Sequence, residues 1–148
     1  MTNGCLMGID HGIKRIGVAI SDSLWLVARE YTIIERRSKR EDFERLNQII
    51  EEHEVTAIVV GLPSDLDAPE GTYTQADTVR LWVSRFSQTT TLPIVMWDEQ
   101  FTSEDAHMLG KAQKRGFRDP IDDLAARLIL QSYMDALRDG LATNPISS

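Results

Sequence analysis

Three acids stand where apolar segments end. Asp10 closes the run CLMGID, Glu99 follows LPIVMW and Asp98, and Asp122 falls in the first turn of the last long amphipathic stretch. An unpaired carboxylate at the end of an apolar strand is costly unless a cation or a donor compensates it. In open sheets with parallel strands, sites gather at the carboxyl ends of the strands, and both apolar runs deliver an acid there. Drawn into one place, Asp10, Glu99 and Asp122 would repel one another and would be stabilised by divalent cations. An all-oxygen donor set suits Mg²⁺ or Mn²⁺. Two such ions about 3.5–4 Å apart can activate a water and stabilise the leaving oxygen of a phosphodiester. Each acid alone also has a plain structural reading: Asp10 as a turn cap, Glu99 as a solvated loop acid, Asp122 as a helix-dipole acid. Only their coincidence favours the chemical one.

The elements that must position these acids follow from periodicity. CLMGID reads as a strand buried on both faces. RIGVAIS alternates, with Ile16, Val18 and Ile20 on one face, and Gly12 permits the tight reversal between the two. REYTIIE is a third strand. Ser38 and Glu41 form a capping-box pattern before a helix whose stripe is Phe43, Leu46, Ile49 and Ile50. TAIVVGLP is a fourth strand, stopped by Gly61 and Pro63. Thr72 and Gln75 fit the start of a second helix with Val79, Trp82, Val83 and Phe86 inward, and LPIVMW is the fifth strand. A short helix opens at Thr102 or Ser103. Asp119 and Pro120 read as N-cap and first position of a last helix reaching about Arg138, with Leu124, Leu128 and Leu137 inward. The order βββαβαβαα implies a single α/β domain, 1–140, with a frayed tail at 141–148.

Composition bounds the function. A net charge of −7 argues against a protein that coats nucleic acid, while leaving room for an enzyme that touches a short stretch of it. No apolar run is long enough to cross a bilayer, and MTNGC does not open a signal peptide, so a cytoplasmic protein is expected. The lone Cys5 forms no internal disulfide and reads as a small core residue. His11, His53 and His107 lack the spacing of a zinc site. The tryptophans 25, 82 and 97 read as packing residues, Trp97 anchoring its strand end. The basic segment KAQKRGFR, 111–118, holds Lys114 and Arg115. It reads equally as an arm gripping a phosphate backbone, with Phe117 stacking on a base, and as a solvated loop.

GIDHGIKRIGVAISD, IVVGLPSDLDAPEG, PIVMWDEQFTS and IDDLAARLILQSYMD, in this order from Leu6 to Asp135, resemble the YqgF-type family of Holliday-junction-resolvase-like pre-16S rRNA nucleases. The resemblance implies a ribonuclease H-like fold: a five-stranded mixed sheet, its first three strands antiparallel, with helices on both faces. It also implies an acidic triad. The aspartate of the D-x-G turn falls on Asp10, the glutamate of W-D-E on Glu99, and the aspartate of D-x-L-A on Asp122. Asp123 competes for the last place, pointing about 100° away around the helix. Lys14 and Arg15 match a basic pair placed to contact phosphate.

The expected function is thus a metal-dependent nuclease, with Mg²⁺ or Mn²⁺ on the triad, acting in 5′ maturation of pre-16S ribosomal RNA. The partner is nucleic acid, precursor ribosomal RNA or branched DNA, handled by a monomer or a homodimer away from membranes. Two alternatives stand beside it: a resolvase of branched DNA, and an inactive nucleic-acid or protein-binding module. The second draws on departures from the family pattern: His11 for an aromatic, Ile13 for a hydroxyl residue, Gln100 for Arg and Asp65 for Asn. The D-x-G turn also occurs in actin-like ATPases and sugar kinases, which need a second domain to close on nucleotide.

Overall fold

The computed structural model describes residues 4–64, 68–98, 103–116 and 119–146. Its elements are β1 (Cys5–His11), β2 (Arg15–Ser21), β3 (Ala28–Glu35), α1 (Lys39–Glu52), β4 (Val55–Leu62), α2 (Gln75–Phe86), β5 (Ile94–Asp98), α3 (Ser103–Ala112) and α4 (Asp122–Arg138). One five-stranded sheet runs β3-β2-β1-β4-β5. The first three strands are antiparallel neighbours, while β4 lies parallel to β1, and β5 parallel to β4. This is the mixed sheet expected from the sequence. Both βα crossovers therefore return the chain so that β1, β4 and β5 end on one edge.

Alternation divides the sheet's side chains between two cores. Met7, Ile9, Ile16, Val18, Ile34, Ile58 and Val60 pack under α1 and α2 against Phe43, Leu46, Trp82 and Phe86. On the opposite face, Leu6, Ala19, Ala28, Ala57 and Val59 pack under α4 against Ala126, Ile129, Leu130 and Tyr133. Three of the residues facing α4 are alanines, Ala19, Ala28 and Ala57, and two more have no side chain at all. A Cβ on Gly8 would stand 2.7 Å from Leu130 Cβ, and one on Gly17 would overlap the Asp122 carbonyl and lie 2.8 Å from Asp123 N. The glycines thus let the start and middle of α4 rest on the strands' backbone. None of the described helices is long and apolar enough to cross a membrane.

Helix starts depart from the sequence expectation in two places. Ser38 does cap α1, accepting from Glu41 N. The second helix is capped by Thr74 rather than Thr72: Asp77 N donates to the Thr74 hydroxyl, and Thr74 N donates back to Asp77 Oδ2. Thr74 wins because Asp77 completes the reciprocal box. Asp119 and Pro120 precede α4 without capping it. The Asp119 carboxylate turns back to accept from Gly116 N at 2.6 Å, and α4 begins at Asp122. Leu128 is half-buried; the inward row runs through Leu124, Ile129, Leu130, Tyr133 and Met134. The start of the expected tail is tied down, the Tyr133 hydroxyl donating to the Thr143 carbonyl at 2.8 Å.

Candidate active site

Asp10 is the sixth residue of β1. By the two-residue alternation of a strand it shares a face with Leu6 and Gly8, the face that carries α4. Its cross-strand partner is Gly17. Directly opposed residues on one face stand about 5 Å apart at Cβ, and the space a side chain would fill at Gly17 is taken by the Asp122 backbone. The Asp122 backbone therefore rests on the residue that pairs with Asp10, 112 residues earlier in the chain. The sheet register places one and the missing side chain admits the other. Glu99 lies outside the described residues. Among the described residues, no group of three or more His, Cys, Asp or Glu gathers as a metal site.

Asp122 is the first residue of α4, where backbone N–H groups favour a carboxylate. It meets Arg15 Nε through Oδ2 at 2.9 Å, and its Oδ1 lies 3.8 Å from where a Cβ of Gly12 would stand. The acid thus faces the β1–β2 turn. Asp123, one residue on, is buried and turned elsewhere. Both its oxygens are held by Arg115, Nη1 to Oδ1 at 2.8 Å and Nη2 to Oδ2 at 2.9 Å. Oδ1 also accepts from the N–H of Leu124. The Asp123 carboxylate raises the Arg115 pKa above its ordinary value by hydrogen bonding to the guanidinium. Of the two adjacent acids, one looks onto the Asp10 turn and the other ties the loop before α4 to the helix.

The basic segment is not an extended arm over the residues described. Lys114 N donates to the Lys111 carbonyl and Arg115 N to the Gly110 carbonyl, with Lys114 in the left-handed region at φ 63°. This is a Schellman cap on α3 with lysine where glycine is usual. Gln113 donates to Glu30 of β3 at 2.8 Å, and Arg115 gives a further bond to the Pro120 carbonyl. The cap leaves Lys114 exposed and commits Arg115 to Asp123. Phe117 and Arg118 lie outside the described residues, as do Asp65 and Gln100. His107, Met108, Lys111 and Ile121 line a cleft of about 380 Å³ beside the start of α4.

On the far side of the turn stands a residue the sequence analysis did not single out. Arg36, just past β3, bonds Asp42 Oδ2, the Gly12 carbonyl and His11 Nε2, each at 3.0 Å. A guanidinium only donates, so the buried His11 accepts at Nε2 and is neutral. Its ring rests 4.9 Å from that of Trp82. The three tryptophans are packing residues. Trp97 Nε1 donates to the Ser132 hydroxyl and its ring meets Tyr133 edge-on, fixing the end of β5 against α4.

A family model described as "RuvX: Holliday junction resolvase" matches residues 4–136. The chain belongs to this family. A "Putative pre-16S rRNA nuclease" from Thermoanaerobacter pseudethanolicus is 41% identical over 138 residues, covering 90% of this chain and 98% of the relative. A protein of the same name from Crocosphaera subtropica is 40% identical over 138 residues, covering 91% and 95%. Among solved structures, Thermus thermophilus RuvC bound to a Holliday junction substrate superposes with a TM-score of 0.58 at 14% identity, covering 95% of this chain and 99% of that one. The fowlpox virus resolvase in complex with Holliday junction DNA gives 0.57 at 11% identity, covering 90% and 98%. These likenesses show that this chain has the ribonuclease H-like fold of the junction resolvases.

Proposed function

We propose that this RuvX-family chain is a divalent-metal-dependent nuclease that cuts precursor 16S ribosomal RNA, with Asp10, Glu99 and Asp122 as its metal ligands. The observation that carries the proposal is the seating of the Asp122 backbone on Gly17, the cross-strand partner of Asp10, at the edge where β1 and β5 end. The donor chemistry fits Mg²⁺ or Mn²⁺: both groups are hard oxygen donors, and the Asp122 side chain is 20% exposed, within reach of a substrate. Glu99 follows directly on Asp98, the last residue of β5. The bound metal, one ion or two, supplies an activated water and neutralises charge on the phosphate.

The chain's own residues supply the rest. Arg15, 42% exposed, bonds Asp122 through Nε alone. Its remaining donors suit a phosphate oxygen, in the bidentate manner of a guanidinium. Lys14 at the exposed tip of the turn and Lys114 on the α3 cap add positive charge for the flanking backbone. Arg115 serves by holding Asp123, and through it the start of α4. The names of the relatives favour ribosomal RNA, and the fold neighbours keep branched DNA in play.

The deciding experiment sets a precursor 16S rRNA fragment beside a four-way DNA junction, each with Mg²⁺ and with Mn²⁺. Metal-dependent cutting of the RNA is expected, lost in Asp10→Asn, Glu99→Gln and Asp122→Asn while the fold is kept. Cutting of the junction alone would reassign the substrate. Binding of RNA with no cleavage under any metal would replace the enzyme by a binding module.

A further inference from the structure

We infer that Arg36 is a positioning residue, a clamp that fixes the turn presenting Asp10 and Arg15. Gly12 N closes the turn between β1 and β2 by donating to the Arg15 carbonyl at 2.9 Å. Ladder pairing ends at His11 and Ile16, one residue beyond Asp10. Past that point Arg36 holds the turn twice. Its backbone N–H donates to the Lys14 carbonyl at 2.9 Å, and its Nη1 donates to the Gly12 carbonyl and to His11 Nε2. The guanidinium is itself aimed by Asp42, which is 2% exposed and also accepts from Arg37 N.

The direction of these bonds matters. His11 packs on Trp82, on the α1–α2 side of the sheet, whereas Asp10 and Asp122 lie on the α4 side. Arg36 therefore grips the turn from behind, and Arg15 ties its front to Asp122. The backbone on either side of Asp10 is thus held, by Gly17 pairing before the turn and by Arg36 after it. A buried ion pair adds little net stability and is often replaceable by apolar side chains of similar volume. The bonds from Arg36 to Gly12 and His11 have no such substitute. Groups that orient metal ligands typically change metal affinity 10- to 100-fold when lost.

The inference rests on the metal-nuclease reading, so its test carries a readout that does not need cleavage. The double variant Arg36→Met/Asp42→Leu removes both charges together, leaves no buried charge unpaired and should stay folded, with a lowered melting midpoint. It should expose the Gly12 amide to faster hydrogen exchange and weaken Mn²⁺ binding, followed by paramagnetic resonance, by about tenfold or more. Its cleavage should recover at raised Mn²⁺. Arg36→Lys, which keeps the charge toward Asp42 but not the fork, should fall between. Unchanged Gly12 exchange in the double variant overturns the clamp. So does lost activity that tracks only the lost folded fraction, with the metal dependence unmoved. Wild-type protein that binds no Mn²⁺ would instead sink the metal-nuclease reading, and Gly12 exchange would still decide the clamp.

Discussion

Gly17 and Asp122 touch through backbone alone: the carbonyl of Asp122 occupies the place a Gly17 side chain would take. This contact sets where α4 begins on the sheet, and so how far Asp122 stands from Asp10. Gly17→Ala should push the first turn of α4 off β2. Overpacking of this kind costs typically 1–3 kcal/mol. Thermal melts should show a lower midpoint. Cleavage should fall further than the folded fraction does, because the second acid is displaced even in molecules that fold. A variant with reduced stability but full activity per folded molecule would show that the two acids need not meet here.

Asp122 and Asp123 should separate cleanly by substitution. Asp122→Asn removes a partly exposed ion pair with Arg15, worth little to stability, and should abolish cleavage. Asp123→Asn leaves Arg115 without its bidentate partner and should cost roughly 2 kcal/mol, the scale of hydrogen bonds to charged groups. Its activity per folded molecule should persist. Comparing melting midpoints with single-turnover rates checks both, and the reverse pattern would hand the metal to Asp123.

Lys114 combines strain with charge. In the left-handed region a non-glycine residue costs roughly 1–2 kcal/mol, so Lys114→Gly should raise the melting midpoint. The same change removes an exposed cation near the start of α4. If Lys114 meets a phosphate, the slope of log affinity against log salt should become shallower by nearly one. A stabilised variant with an unchanged salt slope would leave Lys114 as a helix cap only.

Much of this arrangement is legible in the chain. β1, β4 and β5 are largely contiguous apolar runs and β2 alternates, and the D-x-G turn announces itself through Asp10, Gly12 and the cations that follow. Asp122 is visible as a first-turn acid, but the choice between it and Asp123 depends on Arg115, which only folding brings to Asp123. Arg36 sits in the charged run ERRSKRED, where nothing local separates it from its neighbours; its role is set by the burial of Asp42 and the approach of the Gly12 carbonyl. The Schellman cap at Lys114 hid because its left-handed position carries lysine, while Gly116 two residues later reads as loop. The true cap of α2 was masked by a second threonine two residues upstream.

His11 gives the clamp a pH signature. Burial, then the charge of Arg36, pushes its pKa down to about 4, partly offset by its own backbone hydrogen bond and by Asp42. The unfolded chain protonates this ring near 6.5. Between those values the unfolded state binds the extra proton, so stability is fully present above pH 6.5 and is lost as the pH falls toward 4. The loss attributable to this group is roughly 3 kcal/mol across that window. Urea melts from pH 7.5 to 4.5 should show it. His11→Tyr, which keeps a ring against Trp82 and an oxygen for Arg36, should flatten the profile in this range. An equally steep fall in that variant would assign the acid sensitivity to other groups.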